Sequence, residues 1–466
     1  MLRSRKLRSY ALCAATRKLV LTEKCRHTRR EAFFKSASFR LSLSLSTLLF
    51  LHRTFHRFLL RLRLLLSSSD ERATSFRRRN PKTAETLTGR LTPAVGASTS
   101  SLALLIAPAD QTRLTIAIYV ASRALESAYN ALPETGLIKS NKPKWLGSWC
   151  IMPLACAQLL HAFVFDRDCF PAAYGGFILK RSPEYIQQKP AGYPQDLTWP
   201  GTFDLVDALA KISEAKWPKF TSPILFPAGS YAKSKDAALA VVAPVVDPAH
   251  PAITNLSCAV LHPGDPSCGR TYIKYFLTAF PATAKFFALI YSAFALMRYK
   301  AFMASPGAAV GKLGSRIMQT SLFITAAIGG AWSSICMLQR ILPGNVLPTS
   351  RWYLSGFIAG LAGWFERGGD RGNFLYSARM STDSLWKVGK KHGWWRGIAG
   401  GDVLVFWASM ALLGAVYQRK PEAVEGPLIR KTLGLFRGDG WVDRLAPAAT
   451  LEAEKAAENE AAKKEL

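Results

Sequence analysis

The stretch Ile118-Tyr119-Val120-Ala121-Ser122-Arg123-Ala124-Leu125-Glu126-Ser127-Ala128-Tyr129 has a counterpart 257 positions further on, Leu375-Tyr376-Ser377-Ala378-Arg379-Met380-Ser381-Thr382-Asp383-Ser384-Leu385-Trp386. Tyrosine, alanine, an acid, serine and a final aromatic recur at matching places. Both copies lie in apolar surroundings of membrane-spanning length. A duplicated helical unit in such a setting predicts two related halves of a polytopic membrane protein.

The match extends outward. After a loop that is shorter in the second copy, the offset drops to 250: Trp145 answers Trp395, Gly147 answers Gly397, Leu154 answers Leu404 and Pro171 answers Pro421. One deletion in a loop accounts for both offsets. Two repeat cores follow, residues 91–165 and 348–417. Four apolar segments separate the two tyrosine helices. If each of them crosses the membrane the copies are inverted; if one is re-entrant they are parallel.

Eight stretches could enter a membrane: 91–107, 112–130, 145–165, 272–297, 318–338, 352–365, 373–386 and 403–417. A spanning helix needs about 20 residues of low polarity. Residues 272–297 and 318–338 meet that well, and 145–165 and 403–417 do so with flanking sequence. The others are short or charged and need neighbouring helices. The expected fold is an all-α polytopic integral membrane helical bundle with two related, inverted repeats.

The 466 residues carry a formal net charge of +30. Residues 1–80 hold twenty Lys or Arg against four acids, about half of that excess. Residues 1–90 therefore read as a basic, Ser/Arg-rich segment: a transit-like leader, an amphipathic helix or an unfolded extension. Nucleic acid is not an expected partner, because no zinc finger or aromatic-interleaved basic fold accompanies the charge. Basic residues beside membrane helices are the ordinary cause. Residues 166–271 differ, with ten basic and ten acidic residues, many prolines and several aromatics. They read as a partly ordered insert facing solvent or an interface, able to take a protein partner. Residues 272–347 hold two transmembrane helices. Residues 418–466 form a basic juxtamembrane segment and a charged tail, whose Lys463-Lys464-Glu465-Leu466 end looks like an endoplasmic-reticulum retrieval signal.

The recurring Tyr-x-Ala-x4-acid-Ser motif, the small-residue run at 356–363 and the Cys258, His262, Pro263, Pro266, Ser267, Cys268 element resemble the transmembrane protein 135 family, in a fungal-type form. The resemblance covers about residues 91–445. That family is distantly similar to Tim17-type translocase components. The resemblance implies an organelle membrane protein, mitochondrial or peroxisomal, linked to organelle dynamics and lipid handling. It names a setting rather than a reaction.

Small residues on one helix face let backbones approach. Gly356 and Gly360 make one such step, and Gly393, Gly397 and Gly401 make two more. Arg123 with Glu126, and Arg379 with Asp383, put an ion pair on one face of each copy. With Tyr119 and Tyr376 they are the candidate polar lining between the halves, the alternative being charges that snorkel to the membrane surface. Cys258, His262 and Cys268, with His250 upstream, could hold zinc. Their spacing matches no common zinc finger, and a Cys258–Cys268 disulfide or a proline-rich loop with free thiols are the alternatives. No Cys-x-x-Cys occurs among the eight cysteines. His161 precedes Asp166 by five residues, but the second copy has Ala411 and Val416 there, and no nucleophile motif is present. No enzyme, cofactor or resident metal is expected. The expected function is movement or organisation of lipid or a small metabolite in the membrane; the alternative is a membrane-anchored scaffold.

Overall fold

The computed structural model describes residues 36–132, 147–297, 299–368 and 371–445. The start of the basic N-terminal segment and the Lys463-Lys464 tail lie outside them. The protein is all-α; among the described residues there is no strand, and one antiparallel bridge joins Lys219 and Asn255. The principal helices are α1 (Ala37–Ser67), α2 (Gln111–Ala131), α3 (Ile151–Phe165), α4 (Cys268–Met297), α5 (Pro306–Ile341), α6 (Arg351–Gly360), α7 (Arg371–Lys391), α8 (Gly401–Arg419) and α9 (Pro427–Arg437). Four segments are long and apolar enough to cross a membrane: Ser148–Phe165, α4, α5 and α8. At 1.5 Å per residue, the 30 residues of α4 reach about 45 Å, more than a hydrocarbon core requires. Helix α4 keeps large apolar side chains outward, with Leu277 68% and Leu289 74% exposed. Water would oppose such a face, and lipid would not.

The chain divides into two compact units, residues 1–141 with 397–466, and residues 142–396. This division cuts across the two sequence-defined cores. Helix α3 of the first core belongs to the second unit, and α8 of the second core belongs to the first.

In the first unit, α8 packs against α2 and against the Thr92–Ala97 helix with its 3-10 continuation Ser98–Ile106. Asp110 starts α2 by accepting from the Arg113 backbone N–H at 3.1 Å. Leu48, Leu104, Ala117, Val403, Phe406 and Met410 share one apolar core, and Ala124, Leu413, Tyr417, Val424 and Leu433 share a second. Helix α1 is 31 residues long and presents one face to this unit, burying Leu48, His52 and His56. Ser44 donates to the Ala103 carbonyl at 3.0 Å, and Arg40 to that of Ile106 at 3.0 Å.

In the second unit α3 packs on α6 and α7, and α5 packs on α4 and α6. Helix α6 also continues as a 3-10 segment, Leu361–Glu366. The tightest approach is α6 on α3. A Cβ at Gly356 would overlap the Cys156 carbonyl and sit 2.7 Å from Ala157 Cα; one at Gly360 would overlap Pro153. Only glycine permits this backbone-to-backbone seam. The other three glycines do not form a seam. Gly393 and Gly397 lie in the loop between α7 and α8, and Gly401 opens α8. Gly393 has φ +72°, a left-handed turn that stops α7 after Lys391.

Residues 166–271 are built of short helices around a packed core, including Tyr185, Leu205, Leu209, Ile212, Val246 and Val260. This lobe is pinned to α4, α5 and the connection between α5 and α6. Trp332 of α5 donates to Ser182 Oγ at 2.8 Å, Arg181 to Thr283 Oγ1 of α4 at 3.0 Å, and Trp217 to the Pro348 carbonyl at 2.8 Å.

Candidate functional site

The second unit carries a half-open pocket of about 360 Å³. Its walls come from α3, α4, α5, α6, the start of α7 and the short Ala172–Lys180 helix. Phe163, Phe177, Phe286, Phe323, Ile324 and Trp332 give it an almost wholly apolar lining. The glycine seam brings α6 close to α3, and Gly356 and Ala359 line the pocket where the two helices meet.

A small polar group interrupts this lining. Glu366 is only 2% exposed. Its Oε1 accepts from Thr320 Oγ1 at 3.0 Å and from Asn373 Nδ2 at 2.8 Å. Thr320 Oγ1 also lies 3.1 Å from the Tyr291 hydroxyl. Nearby on the wall, Tyr174 and Ser377 hydroxyls are 3.0 Å apart. An apolar chamber of this size with a few convergent polar groups is the usual form of a site for a mainly apolar molecule. Sequence reasoning missed Glu366, although an acid directly after the apolar run 352–365 was a visible signal.

A second group of side chains converges at one end of the α4–α5 pair. Cys258 lies on the short Leu256–Leu261 helix, His262 follows it, Cys268 opens α4 and Cys336 lies on α5. Cys258 Sγ is 3.9 Å from Cys268 Sγ and 3.6 Å from Cys336 Sγ; Cys336 Sγ is 3.5 Å from His262 Nε2. All three thiols are free, so the disulfide alternative is not formed. The turn between the ligand-type residues is fixed locally: the His262 N–H donates to the Cys258 carbonyl at 2.8 Å, and the Ser267 N–H to Asp265 Oδ1 at 2.8 Å. Burial draws the His262 imidazole down, but hydrogen bonding with Cys258 and Cys268 outweighs it and raises the pKa to about 10. His250 is not part of this group; its Nδ1 accepts from the Ala252 N–H at 3.0 Å.

The remaining sequence-predicted residues fall as follows. Arg123 and Glu126 form their ion pair at 2.7 Å in the first unit, and the Arg123 guanidinium lies over the Tyr119 ring at 5.7 Å. In the second unit Asp383 pairs with Lys387 at 2.7 Å, and Arg379 Nε donates to the Leu375 carbonyl at 3.0 Å. Tyr376 is half-exposed and joins the cavity wall. His161 stacks flat on Tyr353 with ring centroids 4.0 Å apart. Asp166 instead meets Lys391 at 2.9 Å and His392 at 3.1 Å.

No family model matches the chain, and no solved structure matches its fold.

Proposed function

We propose that the chain is an integral membrane protein that holds an apolar ligand, a lipid acyl chain, in the cavity of its second unit. The single observation carrying this reading is that chamber, apolar on nearly every wall and interrupted by the group of Glu366, Thr320, Asn373 and Tyr291. The apolar walls suit hydrocarbon, and the buried polar group offers an anchor for a lipid's hydroxyl or carbonyl oxygen. The resemblance to the transmembrane protein 135 family supplies the setting, a mitochondrial or peroxisomal membrane.

The test is lipid retention. Protein purified in detergent and stripped of loosely held lipid should release bound acyl lipid on denaturation. Ala327→Trp, which fills the chamber from α5, should abolish it. Equal lipid content in wild type and this variant, both folded, would sink the reading and leave the membrane-anchored scaffold as the better account.

In the same reading the chain is a duplicated unit. Each copy runs from a helix that tightens into 3-10 (92–106 and 351–366) through a tyrosine-motif helix (α2 and α7) to a third helix (α3 and α8). Within each unit, the first two helices of one copy pack on the third helix of the other. Such reciprocal exchange is what a duplication with swapped third helices would produce.

A further inference from the structure

We propose that Cys258, His262, Cys268 and Cys336 bind one zinc ion as a Cys3His site that clamps the 166–271 lobe to the α4–α5 pair. The four ligand atoms lie within 4.8 Å of one another. A tetrahedral zinc ion, with zinc–sulfur bonds near 2.3 Å and zinc–nitrogen bonds near 2.0 Å, sets sulfur–sulfur separations of roughly 3.8 Å and sulfur–nitrogen separations of roughly 3.5 Å. The separations here are 3.6 and 3.9 Å between sulfurs and 3.5 Å between Cys336 Sγ and His262 Nε2. Hydrogen bonds alone do not require four such atoms to meet around one point.

The surroundings fit the same ion. His262 presents Nε2 to the thiols, while its Nδ1 lies 2.6 Å from the Asp265 carbonyl. A donor hydrogen there holds the ring so that Nε2 ligates once its own proton has been displaced by the ion. Arg340 Nη2 lies 3.5 Å from Cys268 Sγ. Three thiolates around a divalent ion leave one net negative charge, which that guanidinium offsets. Binding displaces to solvent the protons held among the three thiols and the His262 imidazole. The thiolate-rich set selects a soft or borderline ion, and ligand atoms this close surround one ion rather than an iron–sulfur cluster with its several irons. With four protein ligands the coordination shell is closed, so the site is structural rather than catalytic.

The full chain, purified in detergent without added metal or chelator, should carry about one zinc ion per chain by elemental analysis. Cys336→Ser should lose it, and Cys150→Ser, which alters a cysteine outside the group, should keep it. Replacement with cobalt should give the absorption of a tetrahedral thiolate complex in the wild type. Wild-type protein that is folded but holds less than about 0.1 zinc per chain, or cobalt protein without thiolate-to-metal absorption, overturns the proposal. If Cys336→Ser does not fold, His262→Gln is read instead, and unchanged zinc content in it overturns the proposal equally.

Discussion

Arg113 and Asp402, 289 positions apart, form a two-bonded ion pair, Nε to Oδ2 at 2.5 Å and Nη2 to Oδ1 at 3.1 Å. Both side chains are largely buried. The pair locks the first turn of α2 to the first turn of α8, and Arg113 also donates to the Ala107 carbonyl at 3.3 Å.

Removing one member strands the other in a buried setting. Arg113→Ala or Asp402→Asn should destabilise the first unit by about 3 kcal/mol. Arg113→Lys should not restore it, because an ammonium cannot make the forked contact. Thermal unfolding in detergent checks both, and a Lys variant as stable as wild type would refute the geometric argument.

Backbone contact along α3 and α6 gives a second expectation. Gly360→Ala drives a methyl into Pro153 and should cost about 1–3 kcal/mol, with Gly356→Ala similar. Gly176→Ala, on a helix with nothing near the added carbon, should be neutral or slightly stabilising. Equal melting temperatures for all three variants would contradict the seam.

The pH response should come from α1. Burial holds His52 down to about 4, helped by His56 and Arg437; burial likewise holds His56 to about 4, with Arg437, Arg444 and Arg57 lowering it and Asp439 opposing them. His52 also faces Ser100 at 3.3 Å and the Phe436 ring. A histidine whose folded pKa lies below its ordinary 6.5 adds stability that is fully present above pH 6.5 and is lost as pH falls toward 4. Unfolding of the first unit should therefore become easier across that window, by about 3 kcal/mol from His52 and less from His56. His52→Gln with His56→Gln should flatten the profile; an unchanged slope in a folded double variant would assign the acid sensitivity elsewhere.

At the end of α3, Asp166 receives Lys391 and His392 from the end of α7, and the carboxylates of Asp168 and Asp166 hold the Lys391 ammonium well above its ordinary range. Asp166→Ala should destabilise the second unit by about 2 kcal/mol and expose the end of α7 to proteolysis. A cleavage pattern identical to wild type would argue against that link.

Legibility in the sequence followed the range of each interaction. The four helices long and apolar enough to cross a membrane were readable because apolar composition over about 20 residues is a local property. The Arg123–Glu126 pair was readable because a three-residue spacing fixes it within one helix. Arg113 and Asp402 carried no such signal, since only tertiary packing joins them. Cys258, His262 and Cys268 stood out through their shared loop, whereas Cys336 reads as an ordinary core cysteine of a long apolar helix. The lobe at 166–271 looked loosely ordered because its core is assembled from helices as short as four to six residues, too brief to show periodicity among the prolines.

The first unit is discontinuous, and this sets an order of assembly. Helix α2 emerges early in synthesis, yet α8, the partner that buries Ala117 and Ala124, follows only after the whole of 142–396 has been made. The second unit is continuous and can close first. Until translation nears its end, α2 must wait with its packing face uncovered, so chains truncated before Gly401 leave that face open to wrong partners and to quality control.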